Sequence, residues 1–180
     1  MDLRGSQTEK ILYKTYAGEC RARTKYNLYS EKARAEGYVW ISEIFDMIAG
    51  NEYAHVREVY KRYLKKVCDT ESNLIDSALG EAEERQFIYK EFEKVAMEEG
   101  FEEIAHFYNE LQEVEESHKD IFTKLAKELK DKTSFKCEEV CYFKCLNCGY
   151  IYEGEEAPEA CPLCKYPKSF FEKLENVDCK

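Results

Sequence analysis

Four cysteines fall in two Cys-x-x-Cys pairs, Cys145/Cys148 and Cys161/Cys164, with a dozen residues between the pairs. Two such pairs specify a tetrahedral four-sulfur metal site. Zinc and a single iron both satisfy that geometry, and spacing alone suits a structural zinc ribbon. Local residues favour iron. Gly149 follows the first pair, where a tight knuckle turns backbone amides toward sulfur. Tyr150, Tyr152, Phe170 and Phe171 are placed to form a small aromatic core beside it.

A second chemistry lies upstream, in carboxylates that occupy positions meant for apolar residues. Ile41, Phe45, Ile48, Glu52, His55 and Val59 alternate at spacings of four and three, as do Ile104, Tyr108, Leu111, Glu115, His118, Phe122, Leu125 and Leu129. These are the core-facing stripes of bundle helices. In each, a Glu-x-x-His replaces two apolar residues near mid-length. Two further stripes repeat the anomaly: Leu12, Tyr16, Glu19, Ala22, Tyr26 and Tyr29, then Leu74, Ser77, Glu81, Glu84, Ile88 and Val95.

An unpaired buried carboxylate costs several kcal/mol, so Glu19, Glu52, Glu81, Glu84 and Glu115 together need compensating cations. The stripes carry no dependable Lys or Arg. Divalent metals supply the missing charge, and oxygen with imidazole ligands suits iron or manganese. The i, i+3 spacing points Glu and His the same way. His106, about 120° around its helix from His118, reads as an ordinary histidine, and Glu83 and Glu116 lie off their stripes and read as solvated. One Glu from each of two helices plus a Glu-x-x-His from each of the other two is the constellation described for ferritin-like di-iron carboxylate proteins.

The elements that must position these groups are four helical segments of about 25–30 residues each, the length of bundle helices. They are separated at Glu36–Tyr38, where Gly37 is a helix stop, at Cys68–Asn73, where Asp, Thr and Ser are N-cap candidates, and at Glu98–Phe101. A compositional break at Asp131–Lys136 divides the chain. Before it there is no proline; after it come all three prolines and most of the cysteines. The expected organisation is an all-α four-helix bundle over residues 1–134 and a small metal-binding β/loop domain over 135–180.

The net charge of −10, with no basic excess in either part, argues against nucleic-acid binding. There is no apolar signal segment and no run of membrane-spanning length. A soluble, cytoplasmic protein in a reducing compartment is expected, since four of the nine cysteines sit in metal-type pairs. Cys20, Cys68, Cys137, Cys141 and Cys179 read by default as small core residues or free thiols.

With both sites in hand, the chain resembles the rubrerythrins, a ferritin-like di-iron bundle followed by a rubredoxin domain. The resemblance rests on "GEC" at Gly18–Cys20, "NEYAH" at Asn51–His55, "GEAEE" at Gly80–Glu84, "EESH" at Glu115–His118, and "CLNCGYIYEG", "APEACPLC" and "YPKSFF". It implies a homodimer with three irons per chain: a di-iron site held by Glu19, Glu52, His55, Glu81, Glu84, Glu115 and His118, and one iron held by Cys145, Cys148, Cys161 and Cys164. It also implies an exchange of Glu84 for His55 on one iron upon reduction, and places Tyr26 and Tyr89 near the site. The activity implied is reduction of hydrogen peroxide to water in oxidative-stress defence. Electrons would enter through the rubredoxin iron from a rubredoxin or an NAD(P)H-dependent reductase. A ferroxidase or iron-handling protein of ferritin type and a non-catalytic electron carrier are the alternatives. One departure is visible: Lys165 follows the second cysteine pair where rubredoxins usually have Gly. A left-handed conformation there costs a non-glycine residue about 1–2 kcal/mol.

Overall fold

The computed structural model describes residues 3–174, so Cys179 lies outside the described residues. The chain divides into two compact units, Met1–Cys68 and Asp69–Lys180. Among the described residues no helix is long and apolar enough to cross a membrane.

The first unit is an antiparallel hairpin of α1 (Gln7–Ala35) and α2 (Val39–Arg57), with α2 running on into a π-helical turn, Glu58–Tyr63. Ser6 caps α1 by accepting the Glu9 N–H at 3.0 Å. Gly37, at φ 86°, ends it as expected. The Tyr38 N–H bonds the Ala33 carbonyl at 2.9 Å and the Gly37 N–H that of Arg34 at 3.1 Å, the paired bonds of a Schellman end. The two helices meet where side chains are small: Ser30, Ala33, Ser42 and Ala49 are buried. Ser30 donates to the Ser42 carbonyl oxygen at 3.1 Å, and their hydroxyls are 2.9 Å apart, so no polar group is stranded. Farther along, Tyr29 packs edge-on to Phe45 and Tyr16 stacks on Tyr60.

The second unit opens with α3 (Thr70–Glu83), capped by Asp69, which accepts the Ser72 N–H at 3.0 Å. A π turn at Glu84–Ile88 leads into α4 (Tyr89–Glu98), so the third helical segment is one path broken by a wider turn. Then follow α5 (Glu102–Lys130), β1 (Lys136–Cys145), β2 (Ile151–Glu156) and β3 (Phe171–Leu174). The corner before α5 copies the corner before α2. Gly100 has φ 82°, and the Phe101 N–H bonds the Ala96 carbonyl at 2.8 Å.

The three strands pair antiparallel in the order β2-β1-β3. Phe143, Cys145, Ala157, Cys161 and Phe171 form the buried core of this small domain, with Tyr150 and Tyr152 packed against it. Phe143 is its largest fully buried side chain, and Phe170, expected in this core, lies at its exposed margin against Tyr166. The compositional break at 131–136 coincides with the end of α5 and the start of β1. Lys173 of β3 reaches Glu128 of α5 at 2.7 Å, which ties sheet and helix together within one unit.

Cys137 and Cys141, expected as lone thiols, are joined by a disulfide. They flank the irregular stretch between the Lys136↔Glu156 and Cys141↔Gly154 pairings. The extra residues of that bulge fold the strand back on itself and bring the two cysteines to a Cα separation of 6.3 Å.

Candidate metal centres

The predicted ligands gather into three groups, two of them nearly identical. In the first unit Glu19 of α1 faces Glu52 and His55 of α2. The His55 Nδ1 lies 2.9 Å from Glu52 Oε2 and 3.7 Å from Glu19 Oε2. In the second unit Glu81 of α3 faces Glu115 and His118 of α5, and the His118 Nδ1 lies 2.9 Å from Glu115 Oε2 and 3.7 Å from Glu81 Oε2. The ligand atoms within each group all lie within 4.8 Å of one another.

The match comes from a repeat. Glu52 follows Gly37, and Glu115 follows Gly100, at the same interval, so a fixed length of helix carries each Glu-x-x-His from an identical corner. Glu81 precedes Gly100 by one residue more than Glu19 precedes Gly37. The π turn at Glu84–Ile88 absorbs that extra residue.

The electrostatics fit a cation. The carboxyl of Glu19 is raised above the ordinary carboxylate range, chiefly by its hydrogen bond with Glu52, and Glu52 is lowered, chiefly by the same bond. Glu81 is raised as well, first by burial and then by Glu115. Two carboxylates and an imidazole with inward lone pairs form a donor set that a divalent metal satisfies. The groups are open on one side. Glu115 is buried, whereas His55 and His118 remain 59% and 48% exposed.

Glu84 stands outside the second group and is engaged by Tyr89, whose hydroxyl donates to Glu84 Oε2 at 2.8 Å. In an unbroken α-helix, Tyr89 would sit roughly 80° around from Glu81. The extra residue of the π turn removes about that rotation and brings the phenol to the carboxylates. Burial first, and Glu84 second, push the Tyr89 phenol up to about 12. Tyr26 sits differently: its ring packs on Phe45 at 6.3 Å, and among the described residues no hydrogen bond joins it to Glu19 or Glu52. Off the stripes, His106 pairs with Glu110 at the surface, as expected. Glu116 does not stand free in solvent: Arg85, in the π turn, meets its Oε2 at 2.9 Å, and Lys119 meets its Oε1. That pairing was invisible from α5 alone, because Arg85 comes from another helix.

The third group is Cys145, Cys148, Cys161 and Cys164. Sγ atoms of Cys145 and Cys164, and of Cys148 and Cys161, are 3.7 Å apart, the spacing of thiolates around a tetrahedral ion. Two equivalent knuckles present them. The Cys145 N–H bonds the Tyr150 carbonyl and the Gly149 N–H that of Cys145, both at 2.8 Å. The Cys161 N–H bonds the Tyr166 carbonyl at 2.8 Å and the Lys165 N–H that of Cys161 at 2.9 Å. Gly149 has φ 76° and Lys165 φ 64°, so the lysine does adopt the left-handed conformation that its position demands. The Tyr166 N–H directed at Cys164 is the main cause that lowers this thiol to about 6. The Tyr150 N–H acts likewise on Cys148, but loss of water and the other three cysteines outweigh it and push that thiol to about 12. Four sulfurs converging at this spacing form a set that a metal binds as thiolates, releasing their protons as it does so.

Known proteins resemble this chain in both of its parts. The rubrerythrin family profile matches residues 10–126 and again 72–145, and the profile of the rubrerythrin rubredoxin-like domain matches residues 143–172. The chain is similar to a rubrerythrin of Clostridium perfringens, 42% identical over 94% of this chain and 95% of that one. It is also similar to a rubrerythrin of Nitratidesulfovibrio vulgaris, 38% identical over 96% of each. A partially reduced nigerythrin structure is 29% identical over 94% of this chain and 87% of that one, with a TM-score of 0.37. The chain belongs to the rubrerythrin family, with a four-helix ferritin-like domain followed by a rubredoxin-like domain.

Proposed function

We propose that the protein reduces hydrogen peroxide to water, taking up two electrons and two protons per peroxide. The observation that carries this reading is the pair of matched Glu–Glu–His groups together with a four-cysteine site in one chain. Glu19, Glu52 and His55 would hold a di-iron centre jointly with Glu81, Glu84, Glu115 and His118, and the four cysteines a third iron. Iron so held would supply the two electrons that peroxide reduction takes up, and iron in the cysteine site would pass electrons on one at a time.

The chain's own residues set the proton side. Tyr89 keeps its proton across the whole physiological range and aims it at Glu84 Oε2. That bond orients the Glu84 carboxylate and leaves its second oxygen free to accept or deliver a proton. The electron source is proposed to be a rubredoxin or an NAD(P)H-linked reductase that docks on the rubredoxin-like domain.

Stopped-flow mixing of the fully reduced protein with peroxide tests the reading. Both iron chromophores are expected to reappear, with one peroxide consumed for each di-iron centre and half of one more for each cysteine-bound iron. Cys148→Ser should allow a single such event and no sustained turnover with the reductase. Reduced protein that peroxide leaves unoxidised would sink the proposal.

A further inference from the structure

One pair of sulfurs plays no part in the metal centres. Cys137 and Cys141 are half-buried at the margin of the small domain's core, joined by a disulfide across a sequence separation of 4. A disulfide that holds a fold together does so by closing a loop, and the benefit shrinks as the loop shortens. A ring this small constrains the unfolded chain little. The buried core beside it, Phe143, Cys145, Ala157, Cys161 and Phe171, is built from other residues. The bond is poorly placed as a staple, so its chemistry is the better account of it.

The backbone presents the pair. In a regular strand, residues four apart lie about 13 Å apart, yet these Cα atoms are 6.3 Å apart. Between Lys136↔Glu156 and Cys141↔Gly154, β1 takes five steps where β2 takes two. Both ends of that bulge are pinned by bonds that do not involve sulfur. The Ala157 N–H bonds the Phe135 carbonyl at 2.9 Å, the Lys136 N–H that of Thr133 at 3.0 Å, and Lys136 Nζ meets Glu156 Oε2 at 3.1 Å. Past Cys141 the pairing with β2 continues through Tyr142, Phe143 and Lys144. With its ends fixed, the bulge keeps the two sulfurs within reach of each other whether or not they are bonded. The sulfurs are also reachable from outside. Cys137 and Cys141 line an open cleft of about 790 Å³ between the end of α5 and the sheet, with Lys124, Lys127, Asp131 and Glu138 on its walls. A cleft with charged walls admits a hydrophilic thiolate to the S–S bond, and access of this kind governs exchange.

We infer that Cys137 and Cys141 form a further redox site, a dithiol–disulfide couple that works without metal, opened by a dithiol reductant and closed by peroxide. In the opening step a thiolate of the reductant attacks one sulfur and the S–S bond breaks. A mixed disulfide forms, and the released cysteine takes up a proton. The reductant's second thiol then attacks its own bound sulfur, the other cysteine leaves with a proton, and the reductant departs as a disulfide. Two electrons and two protons have passed to Cys137 and Cys141. In the closing step one cysteine thiolate attacks a peroxide oxygen and the O–O bond breaks, giving a sulfenic acid and one water. The other thiol attacks that sulfur, the S–S bond returns and a second water leaves. The inference is independent of the di-metal reading and of any peroxide chemistry at iron.

Alkylation with peptide mapping tests it on the full-length chain loaded with zinc, so that no iron competes for peroxide. Trypsin releases residues 137–144 as one peptide, which contains both cysteines and none of the metal ligands. In protein purified in air this peptide should take up no iodoacetamide. After reduced dithiothreitol it should take up two equivalents, and after removal of the dithiol and addition of peroxide it should again take up none. A zinc indicator should read no release at any stage, because the four-cysteine site is separate. In Cys141→Ser, peroxide with glutathione should leave glutathione bonded to Cys137, whereas the wild type should expel it through the second thiol. A peptide that the dithiol cannot open in folded protein, or that peroxide cannot close, overturns the inference. Opening that occurs only together with zinc release does the same, as does wild-type protein that retains glutathione like the Cys141→Ser variant.

Discussion

Lys165→Gly isolates one strained backbone position. Lys165 and Gly149 hold equivalent places in the two knuckles, with φ of 64° and 76°, and each N–H bonds a cysteine carbonyl. The left-handed conformation costs the lysine about 1–2 kcal/mol. Glycine would relieve that but returns about 0.5–1 kcal/mol as extra freedom of the unfolded chain. It also loses the exposed Lys165 Nζ bond to the Pro162 carbonyl at 2.9 Å, worth about 0.5 kcal/mol at such a position. The expected net is a gain of about 0.3 kcal/mol. Gly149→Ala runs the other way, a loss of about 1 kcal/mol. The two variants should therefore differ about tenfold in metal retention, since 1.4 kcal/mol is a factor of ten. Full-length protein carrying cobalt in the cysteine site, challenged with a chelator, reads this from the thiolate charge-transfer band. If both substitutions shift retention the same way, or Lys165→Gly weakens it, the strain argument is wrong.

Subtracting the ultraviolet pH titration of Tyr89→Phe from that of the wild type should show the missing phenol ionising near 12 rather than 10. Its appearance near 10 would contradict the Glu84 bond and the burial together. Binding of divalent metal to the apo protein should release protons in mildly acidic buffer, because Glu19 and Glu81 are raised above the carboxylate range and must ionise to become ligands. Affinity therefore falls as pH falls through those raised values, and calorimetry in buffers of different ionisation enthalpy counts the protons. Replacing Cys137 and Cys141 with serine should cost about 2 kcal/mol in oxidised protein, the loop-closure value for so short a ring. The same replacement should cost almost nothing under reductant, as denaturant melts under both conditions would show.

The ligand sets were legible because their chemistry contradicts their positions. Glu52, His55, Glu115 and His118 stand where heptads call for leucine, and no neighbouring cation excuses them. The cysteine pairs declared themselves by spacing, and Gly37 and Asp69 announced their helix ends through backbone and capping preferences. What stayed hidden depends on backbone register or on distant partners. Nothing in the residues Glu84–Ile88 distinguishes a π turn from an α turn, so a constant 100° step misplaces Tyr89. The repeat with its one-residue offset is visible once the two glycine corners are aligned, and it is the signal that marks the inserted residue. The Cys137–Cys141 bond needed the bulge that folds β1 back, and a spacing of four in a regular strand would have kept the two thiols apart.

The one-residue offset also accounts for the asymmetry between otherwise duplicate halves. Both contribute two carboxylates and an imidazole at the same distances. Three residues after its ligand glutamate, α1 carries Ala22, whereas the second unit carries Glu84. A third carboxylate added to a like-charged cluster raises its neighbours; Glu84 is among the causes that raise Glu81. It therefore needs a donor of its own. A regular helix would turn Tyr89 away, but the π turn starting at Glu84 returns it, and the phenol supplies that donor. Tyr26, seven residues past Glu19 without an insertion, meets no third carboxylate and packs on Phe45 instead. The inserted residue, the extra glutamate and the bonded tyrosine thus form one device, present in the second half alone.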